Sequence, residues 1–433
     1  MEGFWPLEET VYPRIYLWDF HQEDVKKPSF ALRGIKGNIF SLAFSATNKY
    51  LLCAGTFERI LKYDVGHIGT SVPSLAPAAV DQVFRDHSES IRAVTCHPTH
   101  DELFISASED GTIRLHDCRQ PNPSPQRLMQ EVIETENEVT SVQYHPTVDN
   151  LFVTSDGWGA VCLRDTRMSF GAMLKRSGEG VVQTYNTKLA KAAAKYLSNP
   201  ESSSVTFDRD GSRIAVTFTH YLPTIYSISD PNPIAVLSGQ RLPDGTPLPP
   251  GQRGYSNSCT MKHGAFGGPG LDIDDMYAGG SDDFYAYIWK IPSVRQLQEQ
   301  RKTISAHDWA VYDASSVAFT EGRLDTKILP VEISTPWCRL TGHDSIVNTI
   351  VFHPHFLHVV TAGVEKNVLL HSPTPSSPCT ENLPLSPAEV RQLDDADAEE
   401  DRVSYLSALM GIGIRDGPSE DDSERRTLSL FDS

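Results

Sequence analysis

Two short strings in this chain pair an aspartate with an arginine two residues later. They are Asp117-Cys118-Arg119 and Asp165-Thr166-Arg167. A planar guanidinium makes several directed hydrogen bonds at once, so arginine at a fixed corner suits recognition of carboxylates or backbone carbonyls on a partner. Nothing else in the sequence points to bond-making chemistry. There is no G-x-x-x-x-G-K-[ST], G-x-G-x-x-G, G-x-S-x-G or H-E-x-x-H pattern, and the expectation is a protein that is not an enzyme and has no cofactor. Seven scattered cysteines form no C-x-x-C pair, and the Asp272-Ile273-Asp274-Asp275 run lacks calcium-loop spacing, so no metal site is expected.

Both aspartates close a strand-like run, and the same run occurs four times. Ile15-Tyr16-Leu17-Trp18-Asp19, Ile60-Leu61-Lys62-Tyr63-Asp64, Ile113-Arg114-Leu115-His116-Asp117 and Val161-Cys162-Leu163-Arg164-Asp165 end on aspartates separated by 45, 53 and 48 residues. That period and ending are the signature of WD repeats, each a four-stranded propeller blade. Further repeats read at 203–230, 255–291 and 339–372 complete six, after a leading fragment that begins at Arg14. In residues 85–119, Asp110-Gly111 supplies a positive-φ hairpin turn, and His87 is expected to bond Asp110 as a structural pair. His97-Pro98 and His145-Pro146 mark equivalent turns.

The expected fold is therefore all-β, a seven-bladed propeller whose first blade is incomplete, with a six-bladed ring as the alternative. Residues 1–13 carry Pro6 and Pro13 and are too few to supply that blade's inner strands, so the chain reads as an N-terminally shortened seven-blade protein. The propeller is expected over 14–372, after an N-terminal segment 1–13. Two interruptions read as helical, Lys188 to Leu197 and Val294 to Lys302, with irregular sequence after the second. Residues 373–433 form an acidic, largely disordered tail: 14 acidic against 5 basic residues contribute a net −9, half of the chain's −18. Short helices are expected there, from Pro387 and over Val403 to Met410.

The acidic balance, with pI near 5.2, argues against a general binder of nucleic acid or anionic membrane. The absence of a basic, apolar leader and of an 18-residue apolar stretch points to an intracellular protein, nuclear or cytoplasmic.

The consecutive Asp-x-Arg strand ends resemble the W-D-x-R box of WD-repeat substrate receptors of cullin-4 RING ubiquitin ligases. His116 and Arg164 stand where the family has Trp. Longer strings, Tyr255 to Lys262, Gly280 to Phe284 with Trp289 to Pro292, and Gly342 to Asn348 with Gly363 to Lys366, resemble later repeats of one member of that family. The resemblance implies a non-catalytic substrate-recruiting subunit. Arg119 and Arg167 would contact the ligase adaptor, the large subunit of the damaged-DNA-binding complex, with Asp117 and Asp165 supporting them. An unknown protein substrate would take the opposite face. A WD-repeat scaffold outside ubiquitination and a propeller enzyme are the alternative readings.

Overall fold

A computed structural model describes residues 14–373 apart from 20–27, 33, 69–79, 121–128, 172–177, 193–195 and 269–273, together with 383, 385 and 387. The tail helices expected at 387–393 and 403–410 fall almost wholly outside these residues, as does the segment 1–13.

Six consecutive antiparallel sheets follow the six repeats. The first blade is Ile39–Phe44, Tyr50–Gly55, Ile60–Asp64 and Gln82–Phe84. The second is Ile91–Cys96, Leu103–Ser108, Thr112–Asp117 and Val132–Glu134. The third is Val139–Tyr144, Leu151–Asp156, Val161–Asp165 and Val181–Tyr185. The fourth is Ser202–Phe207, Arg213–Phe218, Thr224–Ser227 and Pro233–Leu237, with Val331–Ile333 added in parallel on its outer edge. The fifth is Ala265–Gly267, Met276–Gly280, Ala286–Lys290 and Cys338–Leu340. The sixth has three strands among the described residues, Val347–Phe352, Val359–Gly363 and Val368–His371, where four were expected. A separate hairpin, Ile15–Leu17 paired with Phe30–Leu32, matches the leading fragment. Together the sheets make the all-β WD-repeat propeller that the period implies.

Five of the six blades share a bulge one residue into the first strand, between Ile39 and Ser41, Ile91 and Ala93, Val139 and Ser141, Ser202 and Ser204, and Val347 and Thr349. A bulge bends and twists a strand locally, and its repetition puts equivalent residues in register around the molecule. Between neighbouring blades the core is apolar. Val142 and Tyr144 of the third blade pack on Ala93, Ile105 and Ile113 of the second. The largest cluster joins Val153 and Val161 of the third to Val205 and Phe207 of the fourth.

The insertions correct two expectations. Lys188–Leu197 is not a helix: Leu189–Lys191 is a strand paired with Val317–Phe319, and Leu197 pairs with Ala190. Leu189 and Ala190 are buried against Phe319 and the fourth blade, so tertiary pairing overrides a local sequence rich in helix formers. The helix at 294 is real but stops at Gln300, capped by Ser293, and Lys302–Ile304 is already a strand. The sequence after it is not irregular. Together with 189–198 it builds a five-stranded sheet whose members lie over a hundred residues apart. Among the described residues no helix is long and apolar enough to cross a membrane.

Candidate functional site: two arginine corners

The third strands of the first five blades end at the same kind of corner. The backbone N–H just after the strand donates to the carbonyl just before the second strand: Val65 to Lys49 at 2.9 Å, Cys118 to Glu102 at 2.8 Å, Thr166 to Asn150 at 2.8 Å, Ile228 to Ser212 at 2.9 Å and Ile291 to Asp275 at 2.7 Å. Third strands of successive blades run the same way, so these corners share one face with the turns between first and second strands.

At two adjacent corners the aspartate does more. The Asp117 carboxylate accepts from the Arg119 backbone N–H at 3.1 Å, from its Nε at 2.8 Å and from its Nη2 at 2.9 Å. Asp165 does the same for Arg167, with 2.9 Å to the backbone N–H, 3.0 Å to Nε and 2.6 Å to Nη2. The aspartate side chains are only 7 % and 8 % exposed, while Arg119 and Arg167 are 64 % and 71 % exposed. Each carboxylate thus sits in the fold and holds a solvated guanidinium by one edge. The Nη1 group stays available, and its position is fixed in advance, which lowers the ordering cost of binding. Hydrogen bonds from Arg167 hold the Asp165 carboxyl below its usual range, and the bonds to Asp117 and Asp165 raise the pKa of Arg119 and of Arg167 in turn. At the first blade, Asp64 accepts the Gly66 backbone N–H at 2.9 Å and lies 3.8 Å from the His67 ring, with glycine where the other two corners have arginine.

Inside the second blade the expected His87–Asp110 bond is present at 2.9 Å. His87 continues to Ser106 at 2.7 Å, and Ser106 to His116 at 2.8 Å. His116 also stacks on Phe104 at 4.4 Å. The histidine at the Trp position is therefore packing and hydrogen bonding together, and burial pushes its pKa well down. Burial of the Asp110 carboxyl is outweighed by bonds from His87 and Thr112, which hold it well below the usual range. Gly111 takes φ +73°, as the turn requires. The sixth blade repeats the chain as Glu365, His343, Thr361 and His371. In the third blade, Arg164 replaces the ring and reaches Thr154 at 3.1 Å and the Glu179 carbonyl at 2.9 Å.

Sequence reading missed the apolar groups on the corner face. Phe356 and Leu357 are half exposed in the turn that precedes the sixth blade's second strand, and Trp337 is 60 % exposed beside Lys290. A His353-Pro354 dipeptide, like His97-Pro98 and His145-Pro146, stands just before the first two and is the signal that could have found them. Trp337 had no local signal. Among the described residues no group of three His, Cys, Asp or Glu side chains could hold a metal ion.

The family model for the WD domain, G-beta repeat, matches residues 80–117 and 334–372. DDB1- and CUL4-associated factor 5 of Mus musculus is 29% identical over 442 aligned residues, covering all of this chain, and that of Homo sapiens is likewise 29% identical. The chain spans 38% of the length of these relatives. A probable histone-binding protein rba-1 of Caenorhabditis elegans is 28% identical over 116 residues, a quarter of this chain and 27% of its own. The chain thus carries WD-type repeats at 80–117 and 334–372, and it is similar along its whole length to part of DDB1- and CUL4-associated factor 5.

Proposed function

We propose that the chain is a non-catalytic, substrate-recruiting subunit of a cullin-4 RING ubiquitin ligase, working inside the cell in the nucleus or cytoplasm. Arg119 and Arg167 bind the adaptor, the large subunit of the damaged-DNA-binding complex. Asp117 and Asp165 fix their orientation. The propeller over 14–372 is the binding body, and 373–433 is its acidic tail. A protein target on the opposite face is held near the ubiquitin-charged enzyme, which raises its effective concentration without any chemistry by this chain. Direct binding to nucleic acid or membrane plays no part, in keeping with the net charge of −18.

The observation that carries this reading is the pair of fork-held, solvated arginines at consecutive corners, in a chain related over its full length to factors named for that adaptor and cullin. Affinity purification of the chain with mass spectrometry tests it. Recovery of the adaptor and cullin-4 is the expected result. Their absence, with other partners recovered, favours a scaffold outside ubiquitination.

A further inference from the structure

The face opposite the corners holds an arginine of its own. In each bulged blade one extra residue sits near the start of the first strand: Phe40, Arg92, Thr140, Ser203 and Asn348. First strands of successive blades lie side by side round the centre of the propeller. Their starts are the ends away from the corner face, so these residues share one level at the opposite mouth of the central channel. In the fifth blade His263 joins them, its backbone N–H donating to the Asn348 carbonyl at 2.8 Å.

Arg92 is fixed at this mouth much as Arg119 and Arg167 are at their corners. Its Nη1 donates to the Glu109 carboxylate at 2.8 Å, and its guanidinium lies 5.5 Å from the ring centre of Phe40 on the neighbouring blade. The side chain is 14 % exposed, and its Nε and Nη2 have no partner among the described residues. Thr140 and Ser203 are short, buried and bonded within the fold, to Ser155 at 3.2 Å and to the Thr217 and Lys262 carbonyls at 3.1 Å. Asn348 accepts the Thr260 hydroxyl through Oδ1 at 2.6 Å, which leaves its Nδ2 as a donor. Burial, and after it the Arg92 charge, pushes the His263 pKa down, so a guanidinium of the second blade is felt in the fifth, across the channel. His263 is therefore neutral at pH 7, and Lys262 beside it is buried against Asp282. Arg92 is left as the cation with donors to offer among these residues.

The rim beside it is negative. Glu89 lies exposed in the loop leading into the second blade, and Glu136 and Glu138 in the loop leading into the third. A guanidinium with a fixed plane and free donors favours a carboxylate, whereas the glutamates repel a polyanion and attract lysine or arginine. A carboxylate with cationic neighbours satisfies both. We propose that this mouth binds a segment of the protein target through one Asp or Glu side chain, received by Arg92 beside Phe40, and through flanking Lys or Arg residues, received by Glu89, Glu136 and Glu138. The assignment rests on the reading that the target takes the face opposite the corners.

Selection of a random displayed peptide library on the purified 433-residue chain tests it, followed by fluorescence anisotropy of the selected peptides. The expected peptides share an acidic position flanked by Lys or Arg. Changing that acid to its amide should weaken binding to the parent chain roughly tenfold, with nothing altered in the protein. Arg92→Ala should lose the same factor and bind the acid and amide peptides alike, and Arg92→Lys should restore part of the loss. The Arg119→Ala/Arg167→Ala variant should bind the peptides as the parent does, and Arg92→Ala should keep the adaptor, so failure at the mouth and failure at the corners read separately. A library that yields no peptide whose binding depends on both the acid and Arg92 overturns the proposal.

Discussion

Two kinds of charge pair, one on the surface and one in the core, show how this propeller separates recognition from stability. At the corners, Asp117 and Asp165 are buried while Arg119 and Arg167 project into solvent. In the fifth blade, Lys262 and Asp282 are both about 1 % exposed and bonded to one another. Asp282 also accepts the Ser258 backbone N–H at 2.5 Å, and the ammonium reaches Thr260 at 3.2 Å. The buried pair is saturated and has nothing left to offer a partner. The corner arginines each keep donors free. The same chemistry yields a structural element when both partners are enclosed and a binding element when only the anion is.

The sharpest break of this comparison is Asp282→Ala. It leaves the Lys262 ammonium buried without its counter-charge, a change that costs about 3–5 kcal/mol. Denaturant unfolding should show that loss, and a change under 1 kcal/mol would mean water reaches the site. By contrast, Arg119→Ala/Arg167→Ala should leave the thermal midpoint within measurement error, because solvated groups contribute little to folding. A large drop would make the corners structural.

The sixth blade gives a pH test between these extremes. Burial, helped by the nearby His343, pushes His371 down to about 4. The unfolded chain therefore binds a proton that the folded one does not. This contribution to stability is complete above the ordinary histidine value of about 6.5 and is lost as pH falls toward about 4. The thermal midpoint should decline across that window, and His371→Gln should flatten the decline. A profile identical to the parent would remove His371 as the cause. The smallest effect is expected from Asp165→Asn, which keeps the backbone bond and weakens the fork. Adaptor binding should fall roughly two- to threefold with stability little changed, as read by surface plasmon resonance. A loss as great as that from Arg167→Ala would make the carboxylate itself the contact.

The corners were legible in the sequence because their chemistry is local. Asp and Arg two residues apart at a strand end meet whatever the rest of the chain does. The blades were legible for a related reason, since alternation, turn residues and the Asp-Gly pair recur at a fixed period. What escaped was non-local. Leu189–Lys191 finds its partner at Val317–Phe319, and no pattern within either segment announces the other. The outer strand Val181–Tyr185 lies past the Asp165-Thr166-Arg167 end of its repeat, where no repeat signal marks it. Nothing in the sequence paired Lys262 with Asp282, and only the approach to the fifth blade's first strand and the end of its second bring them together. His116 read as a departure from Trp, although its ring takes both the packing and the hydrogen bond of that position.

Calorimetric titration of the purified chain with the purified adaptor tests the central claim most directly. Saturable binding is expected, weakened roughly tenfold by either Arg119→Ala or Arg167→Ala and abolished in the double variant. Equal affinity for the parent and the folded double variant would contradict the assignment of the corners as the adaptor contact.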